Sequence, residues 1–301
     1  LNPRLSDYLR LHLIVLLWGF TAILGKLISL PAVEMVFYRT LLASIGMAAL
    51  IRFTRTSFAL RQNHAWQLLL TGLIVSAHWI TFFGSGQVAN ASVSLVGFAT
   101  GSLWTALLDP VMNRRKISWL EVLFALVVLA GLVVIASFNF MYPLGLFLGV
   151  LSGLTSAVFF VLNGRFRTRF DANQITFYEM SGAFLGTALF LPVYRLLWAE
   201  NRALNMEPTT VDWIYLGVLA FVCSVFAYSE SVRLMKKFSV FMIQLTLNLE
   251  PVYGIALAIL ILGSKELMTA NFYAGTAIIL AAVILYPVAR RMQQAAASYE
   301  R

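Results

Sequence analysis

Charge is scarce in this chain. Asp, Glu, Lys and Arg together make up 12% of its 301 residues, against 60% apolar. Soluble domains hold about a quarter charged residues, so an ordinary soluble domain is excluded. Cysteine is scarcer still. The single Cys223 lies within an apolar stretch, which rules out a disulfide framework and a Cys-based metal site. Catalytic motifs are missing too: there is no His-Glu-x-x-His zinc motif, no Asp-rich diphosphate motif and no Gly-x-x-x-x-Gly-Lys-Ser/Thr loop. An intramembrane enzyme can be imagined on Gly101-Ser102 with His78, but nothing supports that pairing. A passive channel lacks a ring of like charge or a repeated filter sequence. No enzyme activity, metal or cofactor is expected.

What is present is a set of ten apolar stretches separated by short polar joints. They fall near 9–29, 32–51, 66–88, 92–112, 118–137, 143–163, 173–194, 212–233, 239–262 and 270–289. Each has about 20 residues, enough to cross a ~30 Å hydrocarbon core as a helix. The cations are banded. Arg52, Arg55 and Arg61 follow the second stretch, and Arg114, Arg115 and Lys116 follow the fourth. Arg165, Arg167 and Arg169 follow the sixth, Arg233, Lys236 and Lys237 end the eighth, and Arg290 and Arg291 close the tenth. Positive joints stay in the cytoplasm. The banding predicts a multi-pass protein of the bacterial inner membrane with both termini inside. It also explains the net charge of +9 without a nucleic-acid partner.

The chain repeats itself. Ala32, Phe37, Tyr38, Ala43 and Gly46 recur about 140 residues later as Ala172, Phe177, Tyr178, Ala183 and Gly186. Gly25-Lys26-Leu27 likewise matches Gly164-Arg165-Phe166. The expected halves are 1–140 and 141–301, with five helices each. An odd number of helices turns the second half upside down, and the swapped phase of the cations agrees. The predicted fold is an all-α membrane protein of ten transmembrane helices in two inverted five-helix repeats. Secondary transporters use this architecture, with the substrate site near the midplane between the halves.

Trp18-Gly19, Lys26, Pro31, Arg39 and Ala43 resemble the opening of the EamA repeat of the drug/metabolite transporter superfamily. Glu250-Pro251, the Gly263–Glu266 turn and Gly275 resemble the closing half of its second repeat. The resemblance covers nearly the whole chain. It implies ten helices around a central cavity, lined by helices 1–4 and 6–9 with 5 and 10 peripheral, and export of metabolites including amino acids. Gly101 and Thr155 stand roughly where cavity tryptophans are expected in the aromatic amino acid exporters, so that substrate does not carry over.

Six residues are candidates for substrate binding: His78, Phe82, Trp104, Gln244, Asn248 and Glu250. Glu250 sits mid-span, where a carboxyl must face protein or water, and such acids often mark ion paths. Pro251 frees the carbonyl of Leu247 and loosens that turn. Gln244 and Asn248 share a helix face; their amides suit a zwitterion or simply bond neighbouring helices. His78 and Phe82 are one turn apart, and His78 suits a proton relay or a packed imidazole on a backbone carbonyl. Trp104 lies well inside its span. Arg39 and Glu179 occupy equivalent positions of opposite charge and are expected to be structural and too far apart to pair. The glycine stripes Gly97/Gly101, Gly145/Gly149/Gly153 and Gly182/Gly186 are expected to be packing surfaces.

The function expected is export of amino acids or similar zwitterionic or uncharged solutes by alternating access. The alternative is a proton-coupled exporter of drugs or other metabolites. The partners are a small-molecule substrate and the lipid bilayer, the chain acting as monomer or homodimer.

Overall fold

The computed structural model describes residues 3–60, 64–136, 142–254 and 270–299, and all regular structure in them is helical. The C-terminal part of the ninth predicted span (255–262) and the Gly263–Glu266 turn lie outside the described residues, as does Arg61. In chain order the helices are α1 (Leu5–Gly19), α2 (Thr21–Leu27), α3 (Ala32–Thr54), α4 (Ala65–Val88), α5 (Ala91–Met112) and α6 (Trp119–Ala136). They continue as α7 (Pro143–Phe166), α8 (Ala172–Leu197), α9 (Thr210–Gly217), a π-helix (Val218–Phe226), α10 (Ala227–Leu234) and α11 (Val240–Leu247). The last is α12 (Ala270–Tyr299). Eight helical segments among the described residues are long and apolar enough to cross a membrane, α1 with α2 and α9 through α10 each counting as one. Trp119–Ile135 is a shorter apolar helix.

Polar residues at the joints start the helices. The Asn90 side chain accepts from Val93 N at the head of α5, and Ser239 accepts from Met242 N at the head of α11. Asp171 with Gln174, and Thr209 with Asp212, form reciprocal capping boxes for α8 and α9. Asp212 reaches further. Its carboxylate also accepts from Ser29 N at 2.9 Å and Ser29 Oγ at 2.7 Å, tying the end of the α2 joint to α9.

Three predicted spans are not continuous α-helices, the first being interrupted at Phe20 between α1 and α2. The ninth breaks after Leu247 and resumes at Glu250. Pro251 has no N–H for the Leu247 carbonyl, so the turn before it tightens. Asn248 N and Leu249 N bond three residues back, to Leu245 O and Thr246 O. The eighth is π-helical through its middle, a geometry that recurs at functional sites.

Glycines set the closest helix contacts. A Cβ on Gly97 of α5 would lie 2.6 Å from the Gly149 backbone of α7. A Cβ on Gly72 of α4 would overlap the Glu179 carbonyl of α8, and one on Gly182 would overlap the Leu69 carbonyl. The stripes read from the sequence are thus packing surfaces where backbones meet. Helix α12 packs on α6, joined by Glu121, which accepts from Tyr286 Oη and Arg290 Nη1, both at 3.1 Å.

Candidate functional site

A small chamber lies where α1, α3, α4, α5, α7, α10 and the ninth predicted span converge. Its walls are largely aromatic: Trp18, Trp79, Phe82, Phe83, Phe98, Phe159, Phe160 and Tyr228. The polar groups on it include Arg39, His78, Ser156 and Glu250. None of these residues comes from α6 or α12. The space it offers is about 40 Å³, enough for water and too small for a metabolite.

The helix breaks place the polar groups. Arg39 is 2% exposed and its Nε donates to Ser224 Oγ at 2.9 Å. Ser224 sits in the π-helix and donates to Leu219 O, five residues back, at 2.9 Å. The guanidinium carbon lies 3.8 Å from the centroid of the Trp79 ring, a cation–π contact strengthened by the absence of bulk water. Trp18 Nε1 donates to Cys223 O at 2.9 Å, so the π stretch is bonded from α1 as well. At Phe20 the first span breaks between α1 and α2. Just before it, a Cβ on Gly19 would lie 2.7 Å from Glu250 O. The broken turns of the first and ninth spans therefore touch, and Glu250 faces the chamber beside that contact.

Of the six candidate residues, His78, Phe82 and Glu250 line this chamber. His78 Nδ1 lies 3.0 Å from Ser152 O and 2.9 Å from Ser152 Oγ, so a single N–H serves both oxygens and the ring is held against α7. Gln244 stands one residue removed, its Nε2 donating at 3.0 Å to Ser156 Oγ of the chamber wall. Asn248 turns back on its own helix, donating to Gln244 O and Leu245 O. There it covers carbonyls at the Pro251 break. Trp104 is not among the lining residues, and its Nε1 is buried with no partner among the described residues.

The sequence reading gives Arg39 a structural part. Its partners are Ser224 and Trp79, and it lines the chamber. The signal was a lone cation mid-span; its direction depended on the π-helix, which leaves no mark in periodicity. The aromatic wall from α7, Phe159 and Phe160, was also missed.

A second cavity of about 460 Å³ opens where α2 and α4 end and α5 begins. It is lined by Lys26, Ser29, Gln87 and Ser94 among others, and it shares Phe82 and Phe83 with the chamber. These two rings are the partition between the cavities. Phe83 is seated against Gly25, where a Cβ would come within 2.6 Å of the ring.

Three comparisons with known proteins bear on this arrangement. A crystal structure of a protein superposes with a TM-score of 0.75 at 18% identity, covering 96% of this chain and 99% of that one. At that identity the likeness shows the fold. The comparison with curated proteins found no match. The model of the EamA-like transporter family matches twice, over residues 7–137 and 143–286. The apolar helices and this paired match make the chain a multi-pass membrane protein of the EamA-like transporter family, consistent with the drug/metabolite transporter superfamily.

Proposed function

We propose that the protein is a secondary transporter that exports amino acids or similar zwitterionic or uncharged solutes by alternating access. The observation that carries this reading is the placement of Arg39 and Glu250 on one aromatic chamber. Among the described residues no ion pair joins them. A guanidinium fork suits a carboxylate, and a carboxyl suits an ammonium. Aromatic faces take up an apolar side chain or stack on the cation. His78, Phe82 and Glu250 would touch the solute. Gln244 would act through Ser156, while Trp104 and Asn248 would shape the helices behind the wall. The small space requires the rings to part during loading, as alternating access demands.

The architecture we infer is ten transmembrane helices in two inverted five-helix repeats, residues 1–140 and 141–301. The recurrence of Ala32, Phe37 and Tyr38 as Ala172, Phe177 and Tyr178 supports it, and so does the paired family match. The first helix of each repeat would pack on the fourth of the other, as α7 does on α5 and α1 on the Glu250 turn. In this reading both termini and the joints at 52–64, 113–117, 164–172 and 234–238 face the cytoplasm of a bacterial inner membrane. The chain would work as monomer or homodimer.

The test is uptake into proteoliposomes holding purified protein, screened with labelled amino acids, sugars, polyamines and dicarboxylates. Counterflow of neutral amino acids, lost in Arg39→Gln and Glu250→Gln at equal protein level, supports the reading. Transport confined to polyamines or dicarboxylates, or indifference to both substitutions, refutes it. Labelling of a cysteine at Arg115 by an impermeant reagent from the periplasm would sink the topology.

A further inference from the structure

We infer that Glu179, Asn163 and Tyr228 form a proton-binding site, separate from Glu250, that communicates with the chamber through the Tyr228 hydroxyl. The three side chains come from α8, α7 and α10 and are 0%, 0% and 2% exposed. Asn163 Nδ2 donates to Tyr228 Oη at 3.0 Å and to Glu179 Oε2 at 3.1 Å. Tyr228 Oη donates to the same Oε2 at 2.9 Å. Both donors therefore serve one oxygen. Glu179 Oε1 and Asn163 Oδ1 are buried and have no donor among the described residues.

A buried carboxylate with one oxygen bare is costly, because a charge removed from water must be paired and its lone pairs satisfied. A proton on Oε1 removes the charge. It also creates a donor in a cluster whose Asn163 Oδ1 lacks one. A metal cation is a poor alternative: hard cations take about six oxygens or more, and this cluster supplies few.

The link to the chamber is Tyr228. Its ring lines the chamber, stacks on Phe159 at 6.0 Å and meets Trp79 edge-on at 6.3 Å. Water or solute entering the chamber can compete for the hydroxyl and withdraw its bond from Glu179. The other ionisable groups on the helices packed around Glu179 have partners or lie at exposed ends. His78 is held by Ser152, Arg39 by Ser224 and Trp79, and Cys223 by Leu17 O. Arg233 bonds Glu230 and Asn173, Asp212 bonds Ser29 and Thr209, and Glu34 accepts from Asn205 N on one oxygen only. Arg52 and Arg165 are exposed. Glu179 also stands at the recurrence of Arg39, so the pair of related positions holds a cation on the chamber and an acid behind its wall.

The use of this proton in coupling rests on the transport reading above; the existence of the site does not. The test needs no substrate. Infrared difference spectra are recorded on purified full-length protein in lipid, in the Glu250→Gln background so that only one of the two acids reports. A protonated-carboxyl band is expected at neutral pH. It should vanish in Glu250→Gln/Glu179→Gln and shift without vanishing in Glu250→Gln/Tyr228→Phe. A band unchanged by Glu179→Gln overturns the proposal. So does a band abolished by sodium at constant pH, which would make the site one for a metal cation. Since Gln preserves the shape of the neutral acid, the Glu179→Gln variant is expected to fold, with its melting temperature as the check.

Discussion

Arg39 Nε donates to Ser224 Oγ, and that hydroxyl in turn donates a hydrogen bond to Leu219 O within the π-helix. The guanidinium is thereby aimed by a backbone irregularity on another helix. Removing the hydroxyl leaves Arg39 charged but free to turn, so Ser224→Ala is expected to weaken binding without abolishing the cation. Hydrogen bonds to charged groups contribute about 1.5–3 kcal/mol, which corresponds to roughly a 10- to 150-fold loss. Arg39→Lys should cost more than its charge suggests, since an ammonium has no planar fork to stack on Trp79. Binding isotherms of the best amino acid from the uptake screen check both; wild-type affinity in Ser224→Ala would remove the aiming role.

Phe83 stands between the larger cavity at Lys26 and the small chamber. Phe83→Ala is expected to join the two spaces. In a Cys223→Ser background, a cysteine placed at Thr21 should then react with a small methanethiosulfonate reagent at least severalfold faster than with Phe83 present. Equal rates would mean that another element closes this side.

Glycine contacts make a graded test of packing. Gly97→Val drives a branched side chain into the Gly149 backbone, and overpacking of this kind costs about 1–3 kcal/mol or more. Its melting temperature in detergent should fall clearly. Gly217→Ala is the control, because nothing lies within 4 Å of the added atom; it is expected to melt with wild type.

Much of this fold is legible in the sequence because lipid permits few answers. A run of some 20 apolar residues ends where Asn90, Asp171, Thr209 or Ser239 can cap the next helix, and nearly every boundary falls within a few residues of its reading. The Glu250-Pro251 dipeptide announced the break that the ninth span shows, since a missing N–H is a property of the residue itself. The site was less legible. His78, Phe82 and Glu250 were chosen as isolated polar or aromatic residues in spans, and they meet. Asn248 and Trp104 were chosen by the same rule and do not line the chamber. The difference lies in rotation about the helix axis, which the turn at Asn248–Leu249 resets locally. Arg39 was legible as a charge, while its partner depends on the extra residue per turn in Val218–Phe226, which no hydrophobic period records.

Pro251 gives the last prediction. By withholding an N–H from the Leu247 carbonyl it breaks the ninth span next to Glu250, and the broken turn seats against Gly19 of the first. Asn248 Nδ2 covers two carbonyls at that break, so the kinked form is satisfied but held by side-chain bonds rather than a helical ladder. Pro251→Ala restores the missing donor and favours a continuous helix. Two properties should then move in opposite directions. The melting temperature should rise by a few degrees, because the ladder gains a bond. Exchange of a labelled amino acid across proteoliposomes should slow severalfold, because the turn that lets the first and ninth spans reseat has stiffened. Restoring the break elsewhere in the same turn, with Pro251→Ala/Leu249→Pro, should recover little, since Glu250 would then point away from the chamber. A Pro251→Ala protein that is both more stable and equally fast would show that the break is a by-product of packing and not a hinge.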